Sequence, residues 1–125
     1  ARISGILVHD YGTGKVNNIS LQGQWACGPI LDEITRPLRA VGFEGVRAGS
    51  LGGTDHLSFI SAGVPGFACY QDPAEYRKTH HSPSDTLDKV WPDDLKEGAM
   101  VLAVWAYNVA GLPELLPRTE GRRQG

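Results

Sequence analysis

The sequence predicts an α/β fold, a mixed sheet flanked by helices, and three observations lead there. Short apolar runs ending in polar, glycine-rich turns alternate along the chain with stretches of helical periodicity. The helical stretches carry their own punctuation, with Pro29 and Pro92 at their starts and Gly42 and Gly111 at their ends. Finally, 125 residues with 41% hydrophobic and 21% charged side chains suffice for one globular core and are too few for two ordinary domains.

The first element is a strand over Ile3 to Val8, a nearly continuous apolar run of the kind buried on both faces. It ends in His9-Asp10-Tyr11-Gly12-Thr13-Gly14. A carboxylate just past a buried strand is a recurrent way to place a ligand at the rim of an α/β sheet, although Asp10 equally fits a turn-forming aspartate. His9 alternates away from Asp10 and reads as a packing or surface histidine. The glycines of this turn lack the spacing of a phosphate-binding loop.

Alternation over Val16 to Gln22 gives a second, weaker strand. Pro29 opens a helix with Ile30, Leu31, Ile34, Leu38 and Val41 on one face; Pro37 should kink or end it near Arg36, and Gly42 is its outer stop. Phe43 to Ala48 reads as a short strand. The flexible loop Gly49 to His56 leads into a short helix, with Thr54 as N-cap, Asp55 favoured by the helix dipole, and Leu57, Phe59 and Ile60 facing inward. Gly63 ends that helix, and Val64 to Tyr70 is a turn followed by another buried strand. Pro92 with Asp93 and Asp94 starts the last helix. Its Leu95, Met100, Leu102, Ala103, Ala106, Tyr107 and Val109 are the expected core stripe. Residues 119–125 read as a flexible tail on a domain of residues 1–118.

Composition narrows the function classes. A formal net charge of −2 gives no case for a nucleic-acid partner. No apolar run approaches the ~20 residues of a membrane span. Cys27 and Cys69 make neither a metal knuckle nor a disulfide framework. They are either two buried thiols or one bridge, so the compartment stays open. The chain enters a strand pattern directly from Ala1, with no signal-peptide pattern, which suggests a piece of something longer.

The most informative stretch runs from Lys78 to Val90 and holds His80-His81-Ser82 followed by Asp85-Thr86. Its polar side chains could simply cap the next helix. Neutral imidazole, however, is the commonest protein ligand for zinc, and loops between packed elements are where ligating side chains project. Strands ending in polar turns put Asp10, the Thr54 loop and His81 on one sheet edge.

Four blocks then occur in order: Val8-His9-Asp10-Tyr11-Gly12-Thr13-Gly14, Gly53-Thr54-Asp55-His56-Leu57-Ser58-Phe59, Ala62-Gly63-Val64-Pro65-Gly66, and His80-His81-Ser82 with Asp85-Thr86. Together they resemble the C-terminal half of a co-catalytic zinc exopeptidase, in the family that includes the bacterial leucyl aminopeptidases, nearest the carboxypeptidase Q branch. The resemblance runs from about Ile3 to Arg118 and implies a share of an α/β/α sandwich. It also implies two zinc ions per complete site, with Asp10 and His81 as metal ligands, and short peptides as substrate. His80 takes the place of an oxyanion donor, or packs beside the ligand. Asp55 and His56 match a block that lines the site or orients it from behind, and Asp85, with Thr86, shapes the loop. A secreted or periplasmic parent is compatible with the family.

The family's His-x-Asp block, bridging Asp and Glu-Glu pair have no counterpart in these residues. The chain is therefore expected to be inactive alone and to need the N-terminal half of the same catalytic domain as its partner. Two other readings differ in class: a non-catalytic binding module of this fold, and a glutaminyl-cyclase-like acyltransferase. The paired ligands Asp10 and His81 argue against the first. Relatives of the second favour Asp-Asp-His and Trp-His where this chain has Thr54-Asp55-His56 and His80-His81.

Overall fold

The computed structural model describes residues 2–118, so the expected tail at 119–125 lies outside the described residues. Four strands, β1 (Ile6–Val8), β2 (Val16–Ser20), β3 (Val46–Arg47) and β4 (Gly66–Gln71), form one mixed sheet in the order β1-β4-β2-β3. β1 runs parallel to β4, β2 antiparallel to β4, and β3 parallel to β2. Helices α1 (Gly28–Ile34), α2 (His56–Ser61), α3 (Tyr76–Thr79) and α4 (Pro92–Ala110) complete the α/β fold.

β4 organises the packing because it is buried on both faces. Phe67 and Cys69 point into the main core, where Phe67 meets Trp105 of α4 edge-on at 6.5 Å and Ile19, Leu31 and Val101 close the layer. Gly66 points the other way, against α2, where a Cβ would lie 2.8 Å from the His56 carbonyl. Alternation along one strand thus sets helices on both sides of the sheet.

Several elements are shorter than their sequence pattern. β1 keeps only Ile6–Val8 of the Ile3–Val8 run and is half-buried rather than buried on both faces, because it pairs with β4 alone among the described residues. β2 stops at Ser20 instead of Gln22, and β3 is two residues out of the Phe43–Ala48 pattern. Pro29 opens α1 as expected. After Thr35 the chain tightens into a 3₁₀ turn over Arg36–Val41 containing Pro37, and Gly42 stops it in the left-handed region at φ 84°.

Three expectations fail on side-chain direction. Thr54 does not cap α2; no side chain among the described residues does, and the Thr54 hydroxyl goes elsewhere. Leu57 is exposed, while His56 takes the buried position. In α4 the inward face is Gly98, Val101, Trp105 and Val109, whereas Leu95, Met100 and Tyr107 of the expected stripe face outward. Cys27 and Cys69 are two free buried thiols, so the bridge is excluded.

Candidate functional site

Because β1 and β4 are parallel, with Val8 opposite Ala68, both leave the sheet at the same edge. Asp10 sits two residues past β1, and β4 leads through α3 into His80 and His81. A cavity of about 570 Å³ opens there, bordered by Asp10, Thr54, His80, His81 and Asp85 together with His9, Tyr11 and Tyr76. Asp55 and His56 are not among its lining residues.

The Asp10 turn is held from three sides. The Thr54 hydroxyl donates to Asp10 Oδ2 at 2.6 Å, and the Tyr11 hydroxyl donates to the Gly52 carbonyl at 2.7 Å. The Gln71 carboxamide bonds the turn's backbone at Tyr11, Gly12 and Gly14. Gly14 cannot carry a side chain, since a Cβ would overlap the Asp72 carbonyl. His56 supports the opposite loop from beneath. It is fully buried, and its Nε2 lies 2.9 Å from the Leu51 carbonyl. A carbonyl only accepts, so Nε2 carries the proton and the buried Nδ1 is left without a partner among the described residues.

The two histidines stack face to face, with ring centroids 3.8 Å apart and planes at 22°. Tyr76 lies 4.7 Å from the His80 ring and 6.3 Å from the Tyr11 ring, giving a ladder Tyr11–Tyr76–His80–His81 along the cavity wall. Tyr76 also rests on Gly12, which at φ 95° is a left-handed position with no room for a Cβ beside that ring. His81 itself has φ 51°, a region histidine visits more than most residues, and the kink exposes both imidazoles at the cavity. The loop beyond is knitted by Ser82 and Ser84, whose hydroxyls donate to the Thr79 and Lys78 carbonyls at 2.8 and 2.6 Å. The Thr86 hydroxyl donates to Asp88. Asp85 makes no such side-chain bond among the described residues and borders the cavity instead.

His9 packs, as its place on the strand suggests, but it also borders the cavity. Its ring abuts Gly98 of α4, and its Nε2 is buried without a partner among the described residues. Burial lowers its pKa from the ordinary value, opposed by a backbone hydrogen bond and the nearby Asp10 charge. The Tyr11 phenol is pushed up, first by burial and then by Tyr76, Asp10 and Tyr70.

The carboxylate of Asp10 and the imidazole of His81 have the donor chemistry of zinc ligands. Among the described residues, no group of three or more His, Cys, Asp or Glu side chains is placed to hold a metal ion. Sequence reasoning did not assign Tyr11, Gln71 or Tyr76 to the site. Tyr76 stands four residues before His80, the helical spacing that brings two rings together, so it left a readable signal. Gln71 left none, because its bonds reach 57 to 60 residues back along the chain.

Comparison with known proteins bears on the family and the fold. The profile of Peptidase family M28 matches residues 7–106. Carboxypeptidase Q of Bos taurus is 33% identical over 115 residues, which cover 91% of this chain and 24% of that protein. Carboxypeptidase Q of Homo sapiens is 32% identical over 114 residues, again 91% of this chain and 24% of the relative. In three dimensions the chain is similar to the Peptidase M28 precursor of Shewanella amazonensis SB2B, with a TM-score of 0.73 and 29% identity over 88% of this chain and 25% of that one. The chain spans about a quarter of the length of the relatives it matches. With the family profile matching most of its length, this chain belongs to Peptidase family M28.

Proposed function

We propose that this chain contributes one wall of a zinc-dependent exopeptidase centre that hydrolyses short peptides. Asp10 and His81 are the metal ligands it supplies, and the observation that carries the reading is the convergence of Asp10, His80 and His81 on one cavity. The residues fit zinc in kind. Asp10 keeps Oδ1 free of hydrogen bonds among the described residues while Thr54 holds Oδ2, and the His81 imidazole is exposed to the cavity. They do not fit in number, since zinc sites use three or four protein ligands. The remaining ligands and the general base then come from the rest of the longer parent protein. The chain by itself is inactive on this reading.

A zinc pair supplies Lewis-acid polarisation of the scissile carbonyl and a nucleophilic hydroxide at neutral pH. The residues of this chain prepare for that chemistry. Thr54 fixes the Asp10 carboxylate by donating its proton to one oxygen. Tyr76 lies against His80, and His80 stacks on His81, which limits the ring rotation of both imidazoles. A ring N–H of His80 stabilises the negative oxygen that develops on the substrate carbonyl. Asp85 faces the bound peptide from the loop. His56 acts from beneath by holding Leu51, and so the loop that carries Thr54. Asp55 is exposed next to the start of α2 and has no direct part in the chemistry.

The test uses the full-length parent. His81→Ala should remove one zinc and lower turnover at least ~100-fold. His80→Ala should leave zinc content intact and lower kcat by ~10²–10³ with little change in KM. Metal analysis with steady-state kinetics on dipeptides separates the two. A His81→Ala parent that retains all its zinc would end the assignment.

A further inference from the structure

Gln71 is the last residue of β4, and its side chain turns back over the turn that follows β1. Its Oε1 accepts the Tyr11 N–H at 2.9 Å, while its Nε2 donates to the Gly12 carbonyl at 2.8 Å and the Gly14 carbonyl at 3.1 Å. A carboxamide has two N–H donors and one carbonyl oxygen. Both donors and the oxygen are engaged, all on one four-residue stretch. The partners also fix which way the amide points, because a flipped amide would set its oxygen against two carbonyls and its NH₂ against an N–H. The neighbouring Asp72 N–H donates to the Lys15 carbonyl at 2.8 Å, so the end of β4 grips the turn inside and out.

We propose that Gln71 is a positioning residue for the candidate centre: its carboxamide holds the backbone that presents Asp10, before any metal binds. The inference rests on the reading of Asp10 as a ligand. It assigns the two restraints on that residue separately, with Thr54 orienting the carboxylate and Gln71 placing the chain that carries it. Because Gln71 belongs to the strand that runs on to His80 and His81, it also ties the two ligand-bearing loops to one another. Glutamine alone matches this constellation. Glutamate would accept the Tyr11 N–H but turn a bare carboxylate oxygen toward two carbonyls, and asparagine is one methylene too short to reach all three.

Gln71→Glu and Gln71→Met test the proposal, the first keeping shape and reversing the donors, the second keeping volume and removing all polar atoms. In the metal-free 125-residue chain, amide exchange at Tyr11 should quicken at least tenfold, and the Asp10 carboxyl ¹³C resonance should shift, in both variants. Asn108→Ala provides the control. It removes the 2.7 Å bond to the Ile34 carbonyl, outside the cavity, and should lower Tm without moving either signal. In the full-length parent, zinc affinity should fall by ~10–100-fold, the loss seen when groups that orient a ligand are removed. Folded variants with the Tyr11 exchange and Asp10 resonance of the unaltered chain would overturn the proposal. A parent that binds no zinc would overturn the reading of the centre instead, while the metal-free signals still decide the role of Gln71.

Discussion

Gly98→Ala is a substitution whose usual sign the structure reverses. Gly98 lies inside α4, where replacing glycine by alanine ordinarily stabilises a helix by ~1 kcal/mol. Here the position is buried against His9. A Cβ built on Gly98 would stand 2.7 Å from His9 Nε2 and 3.3 Å from Cδ2 and Cε1. To restore an ordinary contact near 3.5 Å the ring edge must withdraw by roughly 0.8 Å. His9 directly follows β1, whose Val8 is paired with Ala68, so the ring rather than the backbone must give. An overpacked core site costs ~1–3 kcal/mol, which outweighs the helix gain and leaves a net loss of ~0–2 kcal/mol. In a His9→Ala background the obstacle is gone, and Gly98→Ala should stabilise by ~1 kcal/mol. Urea unfolding of the four proteins in this cycle gives the coupling, expected near ~2 kcal/mol. A coupling below ~0.5 kcal/mol, the additivity expected of independent sites, would refute the claim that the His9 ring sets the space for Gly98.

Two further outcomes follow from burial. Cys69 is pushed up to about 12 by its apolar surroundings, against 9.0 for a free thiol, so folding favours the protonated form. Its contribution is complete below pH 9, and stability should fall by ~1.4 kcal/mol per pH unit as the pH rises from 9 toward 12. Cys69→Ala should flatten that slope, and an unchanged slope would count against the buried thiol as its source. Gly14→Ala drives a Cβ into a backbone carbonyl that the paired end of β4 cannot move. It should cost more than ~3 kcal/mol, in the range of the largest single-residue effects, and a near-normal Tm for that variant would show the turn to be far softer than its hydrogen bonds imply.

What could be read from the sequence was whatever local chemistry encodes. Pro29, Gly42 and Pro92 punctuate helices because ring closure and a missing Cβ act on their own residue, and they do so in the structure. The continuous apolar run at β4 marks a strand covered on both faces, and it is one. The direction of α4 was not legible. From Gly98 to Leu112 no residue is charged, so nothing in the pattern says which side is inward, and the answer lies in a contact between a glycine and a distant histidine. The depth of His56 was not legible either. The resemblance leaves it lining the site or orienting it from behind, and it is the single carbonyl of Leu51, five residues back, that takes the imidazole fully inside. The site was partly legible. Asp10, His80 and His81 are identifiable by residue type and order, while Gln71 and Tyr11 act through backbone atoms whose partners no motif names.

The pairing of β1 with β4 also carries a consequence for timing. Ile6 meets Gly66, sixty positions along the chain, through a strand of only three residues held on one side among the described residues. Closing so long a loop is slow and entropically expensive relative to winding α4 or forming a neighbouring turn. The main core between β2, β4, α1 and α4 draws on β1 only through Leu7, and the pairing of β2 with β4, whose partners stand 48 to 55 positions apart, brings β1 to its place. β1 should therefore dock once β2 and β4 have paired, and its three residues should open before the rest of the sheet. Asp10 does not follow such an opening, because Gln71 and Thr54 hold its turn to the end of β4 and to the loop before α2. The cavity therefore has both of its sides, the Asp10 turn and the two histidines, moored to the end of β4, and anything that binds both at once holds that edge closed.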